Sequence, residues 1–175
     1  MKAFRNALVY VEGEGLKRCD LVFDRKIEAI GGEIGGAEVI ELPENAVVLP
    51  GFIDEHIHGA GGADAMDGTR EALKTIAETV AGEGTTSFLA TTMTQSRENI
   101  LHAMKAVKAY REEAPEDGAR ILGIHLEGPF IAAAHKGAQP LEYVAKPDVN
   151  TFDEYNSASG NAITVSYTHL RAHET

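Results

Sequence analysis

From residue 47 onward the chain alternates between short β-prone runs and segments of helical periodicity, and this alternation constrains its fold more than any other feature. Ala46-Val47-Val48-Leu49 and the residues that follow read as a buried strand leading through Pro50-Gly51 to Phe52-Ile53-Asp54. Thr69 to Glu83 carries Leu73, Ile76, Ala77 and Val80 at the i, i+3, i+4, i+7 spacing of an amphipathic helix. Gly82 and Gly84 end it. Thr85 to Thr91 is a second strand. Ser96 then predicts an N-cap, with Glu98 in the first turn of a helix that puts Ile100, Leu101, Ala103, Met104 and Val107 toward one side. That helix ends before Pro115 and Gly118. Arg120 to Leu126 is a third strand, and a further helix is expected around Val149 to Ser157. Strands that alternate with helices pair in parallel and are covered by those helices, so the fold class is α/β.

Residues 1–46 have a different rhythm. Ala7–Tyr10, Asp20–Phe23, Lys26–Ile30 and Val39–Leu42 are short strand-like pieces separated by turns such as Gly13-Glu14-Gly15 and Gly31-Gly32. They predict a small antiparallel sheet that needs a partner surface. A closed (β/α)8 barrel takes about 250 residues, whereas 175 residues less the first 47 leaves 128. Three to four strands are therefore the first part of a TIM-like barrel at most, and truncation is expected. The division is 1–46 for the small sheet and 47–163 for the first half of the barrel. Residues 164–175 read as a non-native or unstructured tail, in which His169 and His173 form no His-Glu-x-x-His motif.

Charge and composition narrow the partners. With 27 acidic against 16 basic residues the net charge is −11, which argues against nucleic acid or an anionic membrane. No signal peptide is evident and no run approaches the about 18 apolar residues of a membrane span. The single cysteine, Cys19, allows no internal disulfide and fits a reducing, cytoplasmic setting.

The chemistry concentrates at two strand ends. In Asp54-Glu55-His56-Ile57-His58-Gly59 the two histidines share a face of an extended chain, beside a loop containing Gly59, Gly61 and Gly62. In Gly123-Ile124-His125-Leu126-Glu127-Gly128-Pro129 the period of two places His125 and Glu127 on one face. In a parallel α/β sheet functional groups gather at the carboxyl ends of strands, so His56, His58 and Glu127 are expected to converge on one rim. Two imidazoles and a carboxylate suit zinc or another divalent transition metal. His125 reads equally as an outer contact to the metal site or as a buried, hydrogen-bonded histidine. Asp54 and Asp64 are left structural, His102 and His135 read as solvated, and Gly128 serves the turn.

These pieces resemble the N-terminal half of the N-acetylglucosamine-6-phosphate deacetylases, a family of the amidohydrolase superfamily. The matching stretches are Leu49–Asp54 with His56-Ile57-His58-Gly59, then Gly84–Leu89, then His125-Leu126-Glu127-Gly128-Pro129-Phe130 running to Lys136-Gly137-Ala138-Gln139-Pro140. The first is shared widely in the superfamily; the last is far more specific. The resemblance covers about residues 1–163. It implies a metal-bearing barrel preceded by part of a small β-sandwich, with Glu127 as metal ligand and His56 and His58 as the paired histidines of members able to hold a second metal. It assigns Ala138 and Gln139 to the loop that touches the sugar. The cofactor implied is a divalent metal, zinc, as one or two ions; the partner is an amino-sugar phosphate, and the full-length protein is expected to form a homodimer. Two further metal-binding histidines, the general-base aspartate and the phosphate-binding residues would come from later strands, so no catalytic residue is assigned here. The reaction implied is hydrolysis of the N-acetyl amide to glucosamine 6-phosphate and acetate, with an inactive fragment as the expectation for 175 residues alone. The alternatives are another amidohydrolase, such as a cyclic amidase or a deaminase, and a non-catalytic fragment.

Overall fold

A computed structural model describes residues 1–167 and divides the chain into two compact units, Met1–Pro50 and the part from Gly51 onward. In the first unit β1 (Lys2–Val11), β2 (Gly15–Phe23), β3 (Ile27–Ile30), β4 (Glu38–Ile40) and β5 (Val47–Val48) form one sheet. Ala7, Val9 and Leu21 bury the centre of one side, with Phe4, Phe23, Leu42 and Val48 packed around them. β1, β2 and β3 are antiparallel neighbours, but β4 and β5 run parallel to β1. The sheet is therefore mixed rather than antiparallel as expected. Hairpin turns fix only the first three strands, and the longer connections let the chain return in the other sense.

β5 also corrects the first barrel strand. Val47 pairs with Leu8 and Val48 with Val9, so this run completes the small sheet. The strand that carries the histidines begins after Pro50 and Gly51, as β6 (Phe52–Ile57). Pro50 cannot donate a ladder hydrogen bond, and a side chain on Gly51 would collide with Thr86, so the break falls there. Beyond β6, Gly59–Ala60 (β7) and Ala63–Asp64 (β8) form a short hairpin. The Asp64 side chain caps the 3-10 turn that follows, accepting from the Met66 amide at 2.8 Å.

The second unit then follows the expected order. It comprises α1 (Arg70–Gly82), β9 (Thr85–Thr91), α2 (Arg97–Glu113), β10 (Arg120–Glu127), α3 (Val149–Ala158) and β11 (Ile163–Tyr167). The Thr69 hydroxyl accepts from Ala72 N, Ser96 from Asn99 N and the Asp148 carboxylate from Thr151 N, so each helix starts on a side-chain cap. The strands lie in the order β11-β10-β9-β6, all parallel. Leu73, Ile76, Val80, Ile100, Met104 and Val107 from the helices bury Phe88, Ala90, Ile121, Ile124 and Leu126 of the central strands. His125 and Glu127 alternate with Ile124 and Leu126 and so leave the helix-covered face.

β11 takes the first four residues of the stretch read as a tail into the sheet. Residues 164–167 continue a strand whose register matches His125 with Val165 and Leu126 with Ser166. The run Ile-Thr-Val-Ser-Tyr is short, but the open edge of β10 supplies its hydrogen-bond partners. His169 and His173 lie outside the described residues. Among those residues, no helix is long and apolar enough to cross a membrane.

Candidate metal centre

His56 is the penultimate residue of β6 and His58 lies just past its end, while Glu127 ends β10. The β6–β9 register shifts between Asp54 and Ile57, and the Asp54 carboxylate accepts the His56 backbone N–H at 2.9 Å. Asp54 thus shapes the strand end, the structural role expected of it. The three side chains meet as anticipated. Glu127 Oε2 stands 3.1 Å from His56 Nε2 and 3.1 Å from His58 Nε2, although β9 separates their two strands. All three ligand atoms lie within 4.8 Å of one another.

This donor set fits a divalent ion. A tetrahedral zinc with ligands at about 2.1 Å needs donors roughly 3.4 Å apart, and catalytic sites use three protein ligands with a fourth position left open. Glu127 Oε2 is buried and makes no hydrogen bond among the described residues, an arrangement that costs free energy unless a cation offsets the charge. Burial, and then the neighbouring His125, hold the His56 pKa below its ordinary value, against a smaller opposing pull from Glu127. The neutral, metal-binding form of the imidazole is therefore favoured.

His125 settles on the buried, hydrogen-bonded alternative and also touches the site. It is buried, and its Nδ1 lies 2.8 Å from the Glu55 carbonyl oxygen. A carbonyl only accepts, so Nδ1 carries the proton. This bond reaches past β9 from β10 to β6 and grips the backbone immediately before His56. The two rings meet edge to face with centroids 4.6 Å apart. Replacing His125 with Phe keeps the ring contact and removes the donor. Chemical unfolding is expected to show a loss of about 1 kcal/mol, and metal titration a weakening of about tenfold. Unchanged values in both would mean that the bond does not set the spacing.

Of the two residues expected to touch the sugar, Ala138 is exposed and Gln139 is buried. The Gln139 amide donates to Glu127 Oε1 at 2.7 Å and accepts from the Thr94 backbone N–H at 2.7 Å. His102 and His135 are exposed, as expected. Sequence reasoning missed Thr94 N–H and the Glu55 carbonyl. Both are backbone groups, which every residue type carries, so no residue pattern marks them.

The family model for the amidohydrolase family matches residues 47–173. The chain belongs to the amidohydrolase family. The amidohydrolase family is metal-dependent, and His56, His58 and Glu127 form a cluster that could hold an ion. Among sequence relatives, it is 44% identical over 128 residues to an N-acetylglucosamine-6-phosphate deacetylase of Bacillus subtilis, covering 72% of this chain and 32% of the relative. It is 41% identical over 142 residues to one of Lysinibacillus sphaericus, covering 80% and 36%. The crystal structure of an N-acetylglucosamine-6-phosphate deacetylase from Pasteurella multocida superimposes with a TM-score of 0.76 at 28% identity, covering 95% of this chain and 44% of that one. This amidohydrolase chain thus spans about a third of the length of the curated relatives it matches.

Proposed function

We propose that this chain is the metal-binding part of an enzyme that hydrolyses the N-acetyl group of N-acetylglucosamine 6-phosphate, giving glucosamine 6-phosphate and acetate. The observation that carries the reading is one carboxylate oxygen held 3.1 Å from two imidazole nitrogens at the carboxyl ends of parallel strands. The deacetylase names of the relatives supply the substrate class. The four parallel strands would be the first four of an eight-stranded barrel, and the N-terminal sheet would be one part of a β-sandwich.

An amide carbonyl is a weak electrophile and water a weak nucleophile near neutral pH; a divalent ion, zinc in this reading, polarises the first and acidifies the second. His56, His58 and Glu127 would hold it. Exposed Ala138, next to Glu127's partner Gln139, would present its backbone to the sugar. The general base belongs to a strand beyond the four described. A cytoplasmic location agrees with the lone thiol, Cys19, and homodimerisation follows the family resemblance.

The test fuses residues 1–163 to the remaining part of the Bacillus subtilis relative and assays acetate release. N-acetylglucosamine 6-phosphate is expected to turn over, chelation to stop it, and the 175-residue chain alone to give no multiple turnovers. A folded, metal-loaded fusion that leaves this sugar intact would overturn the substrate assignment.

A further inference from the structure

Gln139 lies twelve residues beyond Glu127 in a loop, yet its side chain is buried with both ends of the amide engaged. The Thr94 N–H can only donate, so Oε1 must face it and Nε2 must face Glu127; the amide has one sensible orientation. The loop is fixed from its own side as well. Gln139 N–H donates to the Lys136 carbonyl at 3.0 Å, and Lys136 Nζ donates to the Gln139 carbonyl at 2.9 Å. From the other side, Gly128 presses against Thr94 at a φ of 70°, and a Cβ there would fall on the Thr94 hydroxyl. The end of β10, the residues after β9 and the loop at Gln139 are thus locked together around one carboxylate.

We propose that Gln139 is a positioning residue for the metal centre: its amide holds Glu127 Oε1 so that Oε2 alone is presented to His56 and His58. An unsupported glutamate could rotate about its side-chain bonds and offer either oxygen, or neither. Restraining one oxygen removes that freedom before the ion arrives, as outer hydrogen bonds to metal ligands generally do. This role is distinct from contact with the sugar, because both polar ends of the side chain are already used inside the protein. The proposal rests on the metal-centre reading above.

The experiment is Zn2+ titration of the 175-residue chain by calorimetry, comparing the parent with Gln139→Met, which keeps the side chain's length and removes both polar ends. Circular dichroism reports whether each folds. Gln139→Met is expected to bind Zn2+ about 10–100-fold more weakly, the usual cost of losing an outer partner. With Co2+ as the probe, its visible absorption is expected to change as the carboxylate reorients. If the parent binds no metal, the metal-centre reading fails. If the parent binds and folded Gln139→Met binds within threefold with the same Co2+ spectrum, the positioning role fails. Should Gln139→Met not fold, the unmodified chain decides. Its Gln139 side-chain amide protons, followed by 1H–15N NMR, should shift on Zn2+ addition, and unmoved resonances would overturn the proposal.

Discussion

Replacing Glu127 with Gln is expected to lower the Zn2+ affinity of the chain by more than about 100-fold, beyond the usual cost of losing an outer hydrogen-bond partner. The change keeps the side chain's shape and lets Gln139 Nε2 still donate to an oxygen at position 127. It replaces Oε2, the atom 3.1 Å from both ring nitrogens, with an amide nitrogen that offers no lone pair to an ion. It also removes the negative charge that offsets part of the ion's own. In the metal-free protein Oε2 pairs with the two imidazoles at 3.1 Å, so losing its charge is expected to cost only about 1 kcal/mol or less. A large loss of metal affinity beside a small change in metal-free stability is the mark of a ligand carboxylate. Calorimetric titration and chemical unfolding measure the two, and a variant that binds Zn2+ within threefold of the parent would remove Glu127 from the centre.

The convergence behind that prediction was legible before any coordinates because two local rules suffice. Period-two alternation puts His125 and Glu127 on one face, and parallel strand order brings the carboxyl ends of β6 and β10 to the same rim. Helices α1 and α2 were equally plain, since the apolar spacing of each run matches one helical face and Ser96 stands where a cap is needed. What escaped the sequence was non-local. Val47 and Val48 are as strand-like beside β1 as they would be at the start of a barrel; their partner decides, and pairing across some forty residues leaves no local trace. The same holds for β4, which joins the small sheet parallel to β1. Five residues of β11 carry too little pattern to stand out until the edge of β10 is there to receive them. Gln139 belongs to the loop after β10, where neither period applies, and its burial against Glu127 depends on the Thr94 amide arriving from the loop after β9.

Phe88 shows how far the metal centre depends on the core beneath it. It sits in mid-β9 with no exposed surface, opposite Asp54 of β6 on one side and Ile121 of β10 on the other. It therefore stands between the two strands that deliver the ligands, and helix residues such as Leu73, Ile76 and Met104 belong to the same buried cluster. Phe88→Ala removes a ring from that cluster and leaves a cavity that neighbours held by two ladders cannot fill. The expected loss is about 3–5 kcal/mol in chemical unfolding, a large share of the about 5–15 kcal/mol that stabilises a typical domain. Phe88→Leu, which retains most of the volume, should cost far less. Because the cavity opens beneath the strand that pairs with both ligand strands, whatever fraction of Phe88→Ala remains folded should also bind Zn2+ more weakly, whereas Phe88→Leu should bind like the parent. Alanine at 88 with a loss under 1 kcal/mol would mean that the helices do not close over β9, and the spacing of His56, His58 and Glu127 would then need another cause.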